Sequence, residues 1–277
     1  LYGTIPLGLR CDGTGSYGGA KQMEKLDLSR QRGVSPTSNV VGLTGDLPSF
    51  SQCENLRRLD LSHNQIGGTI SEYFLESVDP LVFEGAILNS NLIEGMLPGK
   101  PLVRFDADAI SIQDNHITSL DESLLCDSSR GGAISAFGCF AVLCEPGTYF
   151  PGSGRQEEAS EKCMTCDDSQ YWGATSCGVS TATATKPTGP TNDVASSGVD
   201  EKAILMQLYD ATGGDHWKHK NGWSLGSNVP VCSWDGILCA DDKDVVESLV
   251  LSSNNLKGSA PTSVFHLPYL KHLVLKD

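Results

Sequence analysis

Along "LRRLDLSHNQIGGTI", residues 56–70, the apolar positions fall in a fixed but uneven rhythm: Leu56, Leu59, Leu61, Ile66 and Ile70, with Asn64 and Gly68 between them. One such stretch alone fits an amphipathic helix. The rhythm recurs, however, as Phe83, Ala86, Leu88, Asn91, Ile93, Gly95, Leu97 and Pro98. It recurs again as Ala107, Ile110, Ile112, Asn115 and Ile117, with Ser119 at the glycine position. A further copy reads Val246, Leu249, Leu251, Asn254, Leu256, Gly258, Ala260 and Pro261. Copies lie roughly 24 residues apart, a period of stacked supersecondary units. Each unit is expected to offer a short strand with its leucines pointing inward. The amides of Asn64, Asn91, Asn115 and Asn254 are expected to satisfy buried backbone groups at the bend.

Partial copies frame these. Leu1, Gly3, Ile5 and Pro6 match the back half of a unit, Met23, Leu26 and Leu28 the strand of the next, and Leu270, Leu273 and Leu275 open another. The shared frame resembles the plant-type leucine-rich repeat, LxxLxLxxNxLxGxIP. That resemblance implies an α/β solenoid: a leucine-rich-repeat superhelix with parallel β-strands on its concave face. Residues 200–241, with Trp217, Trp223 and Trp234 around Cys232 and Cys239, resemble the N-terminal cap of such arrays and imply a Cys232–Cys239 disulfide. Residues 126–177 resemble small cysteine-rich extracellular modules, here in the place of a C-terminal cap. That likeness implies Cys144–Cys163 and Cys166–Cys177, leaving Cys126–Cys139, although six cysteines allow fifteen connectivities. The expected organisation is an array at 1–125, the cysteine-rich cap at 126–177, a linker at 178–199, the N-terminal cap at 200–241 and the start of a second array at 242–277. The solenoid is thus expected in two segments, separated by the disulfide-rich cap and the linker.

Composition narrows the setting. A net charge of −14 argues against nucleic acid and anionic membrane surfaces, since phosphate binding needs a basic stripe. Ten cysteines point to disulfides in an oxidising, extracellular compartment. Zinc would need a second CxxC or nearby histidines beside Cys163-x-x-Cys166, and neither is there. The longest apolar run, 133–144, is too short to span a bilayer. The linker is rich in Ser, Thr and Pro, so Thr181, Thr183, Thr185, Thr188 and Thr191 are candidate O-glycosylation sites. No N-x-Ser/Thr sequon occurs.

The stretch "CDGTGSYGGA" at 11–20 has the glycine spacing of a nucleotide fingerprint, but it follows a turn and leads into a strand. A nucleotide fingerprint would follow a strand and open a helix. It is expected to be a loop. Cys11 and Cys53 each lie five residues after a proline of the frame. Adjacent coils about 5 Å apart would suit a Cys11–Cys53 bridge. A second insertion at 31–40 leaves directly after a strand and is either a ligand-contacting island or a tolerated surface loop.

No catalytic constellation, metal site or cofactor is expected. His216-x-x-His219 lies in the cap, and the acidic run 106–122 lacks the calcium-loop pattern. The candidate binding surface is the concave face with the island: Asp27, Arg30, Arg32, Asp60, His63, Asn89, Ser111, Gln113 and Asp114. The frame also runs from Leu275 back to Leu1 with about two positions missing, which suggests units continuing end to end. Two functions therefore compete. One is a non-catalytic extracellular scaffold, a repeating unit of a fibre, filament or matrix whose partner is another copy of itself. The other is a recognition module for an extracellular protein or glycan, as in a receptor ectodomain or an inhibitor of secreted hydrolases. The scaffold is the leading expectation.

Overall fold

The structure, a computed structural model, describes residues 1–5, 22–33, 41–106, 108–178, 200–224, 229–240 and 244–276. Cys11, the glycine stretch, most of the 31–40 insertion and the linker threonines lie outside these residues.

Seven short strands form the principal sheet: β1 (Lys25–Asp27), β2 (Arg58–Asp60), β3 (Gly85–Ile87), β4 (Ile110–Ser111), β5 (Ile237–Cys239), β6 (Val246–Val250) and β7 (His272–Val274). Each is short because the LxL motif provides only one inward residue per flank before the turn. Across the sheet the order is β5, β6, β7, β1, β2, β3, β4, every neighbour parallel except β5 on β6. The register sets Leu249, Leu273, Leu26, Leu59, Ala86 and Ile110 side by side. All but Ile110 are buried, as are Leu28, Leu61, Leu88 and Ile112 two residues further on. Period-two alternation puts both leucines of LxL on the same side of the strand, facing the core. Further parallel strands complete the coils: Gly3–Thr4, Leu43–Asp46 and Gln65–Gly67 in one sheet, Glu94–Leu97 and His116–Leu120 in another. A single hydrophobic cluster runs through the described chain from Leu205 to Leu125.

The strand order corrects the expectation of two separated segments. The stretch at 200–276 does not start an array of its own; it precedes residues 1–125 in one continuous sheet. The leucine frame explains why. Leu273 and Leu275 present the same inward pair as Leu26 and Leu28, so β7 pairs with β1 as β1 does with β2. Backbone bonds fasten the join: Leu275 N–H to Asp27 O at 3.0 Å, and Tyr2 N–H to Gly258 O at 2.9 Å. The head-to-tail continuity of the frame is used inside one chain.

Asparagines knit the turns together. Asn64 Nδ2 donates to Leu28 O and Leu61 O, Asn91 Nδ2 to Leu61 O and Leu88 O, and Asn115 Nδ2 to Leu88 O and Ile112 O, all at 2.9–3.0 Å. Their Oδ1 atoms accept from the N–H groups of Leu43, Ile66 and Ile93, each at 3.0 Å. Buried backbone groups that the short strands leave without partners are thereby satisfied. Asn254 is equally buried but bonds His219 instead, accepting from its N–H at 2.7 Å and donating to its carbonyl at 2.9 Å.

Both ends of the sheet are covered. At the β5 end a helix, Glu201–Ala211, starts where the Asp200 carboxylate accepts from Ala203 N–H, a favourable N-cap. It buries Ile204, Leu205 and Leu208. Trp217, Trp223 and Trp234 pack edge-to-face and tilted with centroids 4.9–5.1 Å apart, and each indole N–H finds a carbonyl, at Thr212, Asp235 and Val229. Aromatics thus supply buried area without orphaned donors. Gly258 (φ +135°) lies where a Cβ would collide with the carbonyl of Ala211, so only glycine lets the coil approach the helix so closely. At the β4 end lie residues 126–177, joined by Cys126–Cys139, Cys144–Cys163 and Cys166–Cys177, with Cα separations of 4.7, 5.8 and 5.6 Å. Trp172 N–H donates to Ile117 O at 3.0 Å, and the rings of Tyr171 and His116 stack at 4.5 Å. Cys232–Cys239 closes a loop in the opposite cover.

Candidate functional site

The strand face left open by the leucines carries the candidate ligand contacts. Asp27 and Asp60 are already engaged: Oδ1 of each accepts from the N–H and hydroxyl of the serine two residues on, Ser29 and Ser62, at 3.1 and 2.7 Å. These repeated turns fix the strand ends and leave each carboxylate one free oxygen on that count. Asn89 donates to Ser90 at 3.3 Å, and Ser111 donates to Gln113 Oε1 at 2.8 Å. Asp114 departs from the expected role of ligand contact. Its carboxylate accepts from Thr175 N–H at 2.9 Å and from the Thr175 hydroxyl at 2.5 Å, so it anchors the cysteine-rich segment.

Arg30, Arg32 and His63 are brought together. They line a cavity of about 290 Å³ beyond the C-terminal ends of β1 and β2, with Val41, Gln65 and the ladder residues Gln31 and Asn64. Arg30 and His63 occupy the same left-handed turn in successive coils, with φ of 55° and 56°, and both side chains are exposed. Ser90, Asp114 and Ser253 repeat that conformation in other coils. The cavity floor is rigid because Gln31 and Asn64 are buried and tied to the backbone. Among the described residues the lining holds two guanidinium groups and a histidine, and no carboxylate. Partial burial, and then the Arg30 guanidinium, hold the His63 imidazole below its ordinary value, against the pull of Asp60 and Asp114. Near neutral pH the cleft is therefore charged by its two arginines, with His63 a neutral donor or acceptor. An anionic group of modest size fits that chemistry.

By sequence position Gln31 belongs to the 31–40 insertion, yet it does the work of a ladder asparagine. It lies three residues after Leu28, as Asn64 does after Leu61. Its Nε2 donates to Leu275 O at 2.8 Å and Ser29 O at 3.1 Å, and its Oε1 accepts from the Leu1 amino group at 2.8 Å. That offset was the available signal. Val41 and Gln65 carried none, since they reach the cleft through the fold alone.

Among the described residues no three His, Cys, Asp or Glu side chains are grouped to hold a metal, and no helix is long and apolar enough to cross a membrane. His219 is bonded through its backbone to Asn254, and His216 O accepts from Asn255 at 3.0 Å.

Residues 55–76 match the family model described as Leucine Rich Repeat. The chain is also similar to the leucine-rich repeat receptor-like serine/threonine-protein kinase SKM1 of Arabidopsis thaliana, at 39% identity over 74 residues. That alignment spans 26% of the chain and 8% of the kinase's length. Leucine-rich repeats generally serve as protein-interaction modules, and the matched repeat suggests such a module here.

Proposed function

We propose that the chain is a non-catalytic, extracellular recognition module. Its leucine-rich-repeat superhelix, closed by an N-terminal cap at 200–241 and a cysteine-rich cap at 126–177, presents the strand face and the cleft beside it to a protein or glycan ligand bearing an anionic group. The observation that carries this reading is the convergence of Arg30, Arg32 and His63 on one cleft with no carboxylate among its described lining residues. A chain of net charge −14 repels anions at long range, so a local cationic cleft marks the place where one would be held. The disulfides and the receptor-like relative support an extracellular setting.

The scaffold reading rested on the frame continuing from one copy into the next. That continuity is made within one chain by β7 on β1, so it does not require a neighbouring copy. The test of the recognition reading is a nuclear magnetic resonance titration with inorganic sulfate and with an acidic peptide. Arg30 and Arg32 Nε–Hε resonances are expected to shift, and an R30A/R32A double variant is expected to lose the response. Resonances that stay put at millimolar probe in the folded protein would overturn the assignment.

A further inference from the structure

The turns that place Arg30 and His63 at the cleft recur from coil to coil and form a rim along one side of the strand face. Ser253, Arg30, His63, Ser90 and Asp114 share the left-handed conformation there, with φ of 54–58°. Backbone bonds stitch neighbouring coils together at this rim. Ser253 N–H donates to Lys276 O at 2.8 Å, Arg30 N–H to Ser62 O at 2.9 Å, and His63 N–H to Asn89 O at 3.0 Å. Continuing the β7–β1 register sets Lys276 beside Ser29. At the β6 coil, Lys218 Nζ donates to Ser253 O at 3.0 Å.

Cations follow one another along the rim. Lys218 stands at the β6 coil, Lys276 at the β7 coil, Arg30 at the β1 coil with Arg32 beside it in the cleft, and His63 at the β2 coil. Lys218, Arg30 and Arg32 are exposed, and Lys276 is half-buried. Among the described residues none of these four enters an ion pair. From the β6 coil to the β2 coil is three strand spacings of about 4.8 Å, roughly 14 Å. Like charges on neighbouring strands do not help a sheet to form. A line of unneutralised cations in a chain of net charge −14 is therefore accounted for by what it meets. The line stops at Ser90, and Asp114 beyond it is taken up by Thr175.

The strand face inside the rim has the opposite character. Asp27 and Asp60 stand on it, each held through one oxygen by the serine two residues on. A polyanion is attracted by the rim and repelled by this floor, so it lies across the coils rather than along a strand. The second oxygens of those carboxylates suit hydroxyl donors. An acidic sugar chain brings both groups, a carboxylate for the rim and hydroxyls for the floor. An acidic peptide brings no hydroxyls, and Ser253, Lys276, Arg30, His63 and Ser90 give it no apolar anchor. We propose that the rim binds a linear acidic glycan, with a carboxylate on successive rings, laid across four coils from Lys218 to His63. The inference rests on the anion-cleft reading and extends it: the cleft holds one carboxylate, and Lys276 and Lys218 take those that follow. Contacts made in series by one chain act at high effective concentration, so affinity depends on chain length.

The test titrates the full chain calorimetrically with oligomannuronates of two, four and eight rings, each ring carrying a carboxylate. Affinity is expected to rise about tenfold from two rings to eight as the two exposed lysine contacts are added. Lys218→Gln with Lys276→Gln is expected to bind the two-ring probe as the parent does and to lose the rise. Lys100→Gln with Lys162→Gln changes the net charge equally, at the Tyr73 ring and in the cysteine-rich segment, and is expected to keep it. Affinity that does not grow with length, or a rise that survives without Lys218 and Lys276, would overturn the rim and leave the sulfate response of Arg30 and Arg32 standing. Loss of the rise in the Lys100 and Lys162 variant as well would reduce the effect to net charge and equally sink the proposal. An eight-residue glutamate peptide binding as tightly as the eight-ring probe would overturn the choice of glycan. Failure of the cleft reading shows separately, as a parent protein that does not respond to sulfate.

Discussion

Replacing Asn91 with alanine removes three hydrogen bonds of 2.9–3.0 Å at the centre of the ladder, with a weaker one of 3.4 Å to Asn89 O, and the structure fixes which of the groups left behind are harmed. Leu61 O keeps its bond from Asn64, and Leu88 O keeps its bond from Asn115, so neither carbonyl is orphaned. Ile66 N–H is different. Asn91 Oδ1 accepts from it at 3.0 Å, and Ile66 is wholly buried. An orphaned buried donor costs about 1–3 kcal/mol, and each lost carbonyl bond about 0.5–1.5 kcal/mol. The sum centres on about 4 kcal/mol, a large share of the roughly 5–15 kcal/mol that holds a domain together. Asn91→Leu refills the volume but leaves Ile66 N–H unpaired, so it is expected to recover little. Urea unfolding followed by circular dichroism reads the difference directly. If both variants lie within about 1 kcal/mol of the parent, the ladder does not hold the turns and the reasoning fails.

Other expectations follow from single contacts. Gly258→Ala forces a Cβ against the Ala211 carbonyl at a strained φ and should cost about 2–4 kcal/mol, read as a lowered urea midpoint. Burial pushes the Glu201 carboxyl above its ordinary value, opposed by the N–H of Val246. Ionising it therefore disfavours the fold, and its penalty grows as pH rises through and above the ordinary carboxylate range. Glu201→Gln, which keeps an acceptor for Val246, should raise Tm at pH 7 relative to pH 4. At the cleft, His63 gains its proton only below its ordinary value, so sulfate binding should strengthen as pH falls from 7 to 5, and His63→Ala should flatten that profile. The His116 imidazole is likewise held low, chiefly by burial and against Glu94, so acid should weaken the contact with Tyr171. Tyr171 fluorescence anisotropy across pH 7 to 5 measures this, with a rise in mobility expected.

What could be read from the sequence was whatever the frame repeats. Asn64, Asn91 and Asn115 stand at one offset from the second leucine of their strands, and that offset alone fixes their bonds. Gln31 stands at the same offset but is one methylene longer, and its letter hid its role. The order of the strands could not be read because covalent order and spatial order part company at β7 and β1. The leucine pairs on either side match, but nothing in their spacing says whether the match is made within a chain or between chains. Asp114 looked free for ligand because its partner Thr175 is 61 residues away in a segment without period. The cleft itself joins the αL turns of two coils to Val41 across the insertion. No local pattern announces that meeting.

Amide hydrogen exchange at Leu275 tests the central claim most directly. Its N–H donates to Asp27 O only if β7 lies beside β1 in one sheet. The account predicts protection comparable to that of Leu61, whose N–H donates to Ile87 O between β2 and β3. Fast exchange at Leu275 while Leu61 stays protected would show that the two stretches are not one stack.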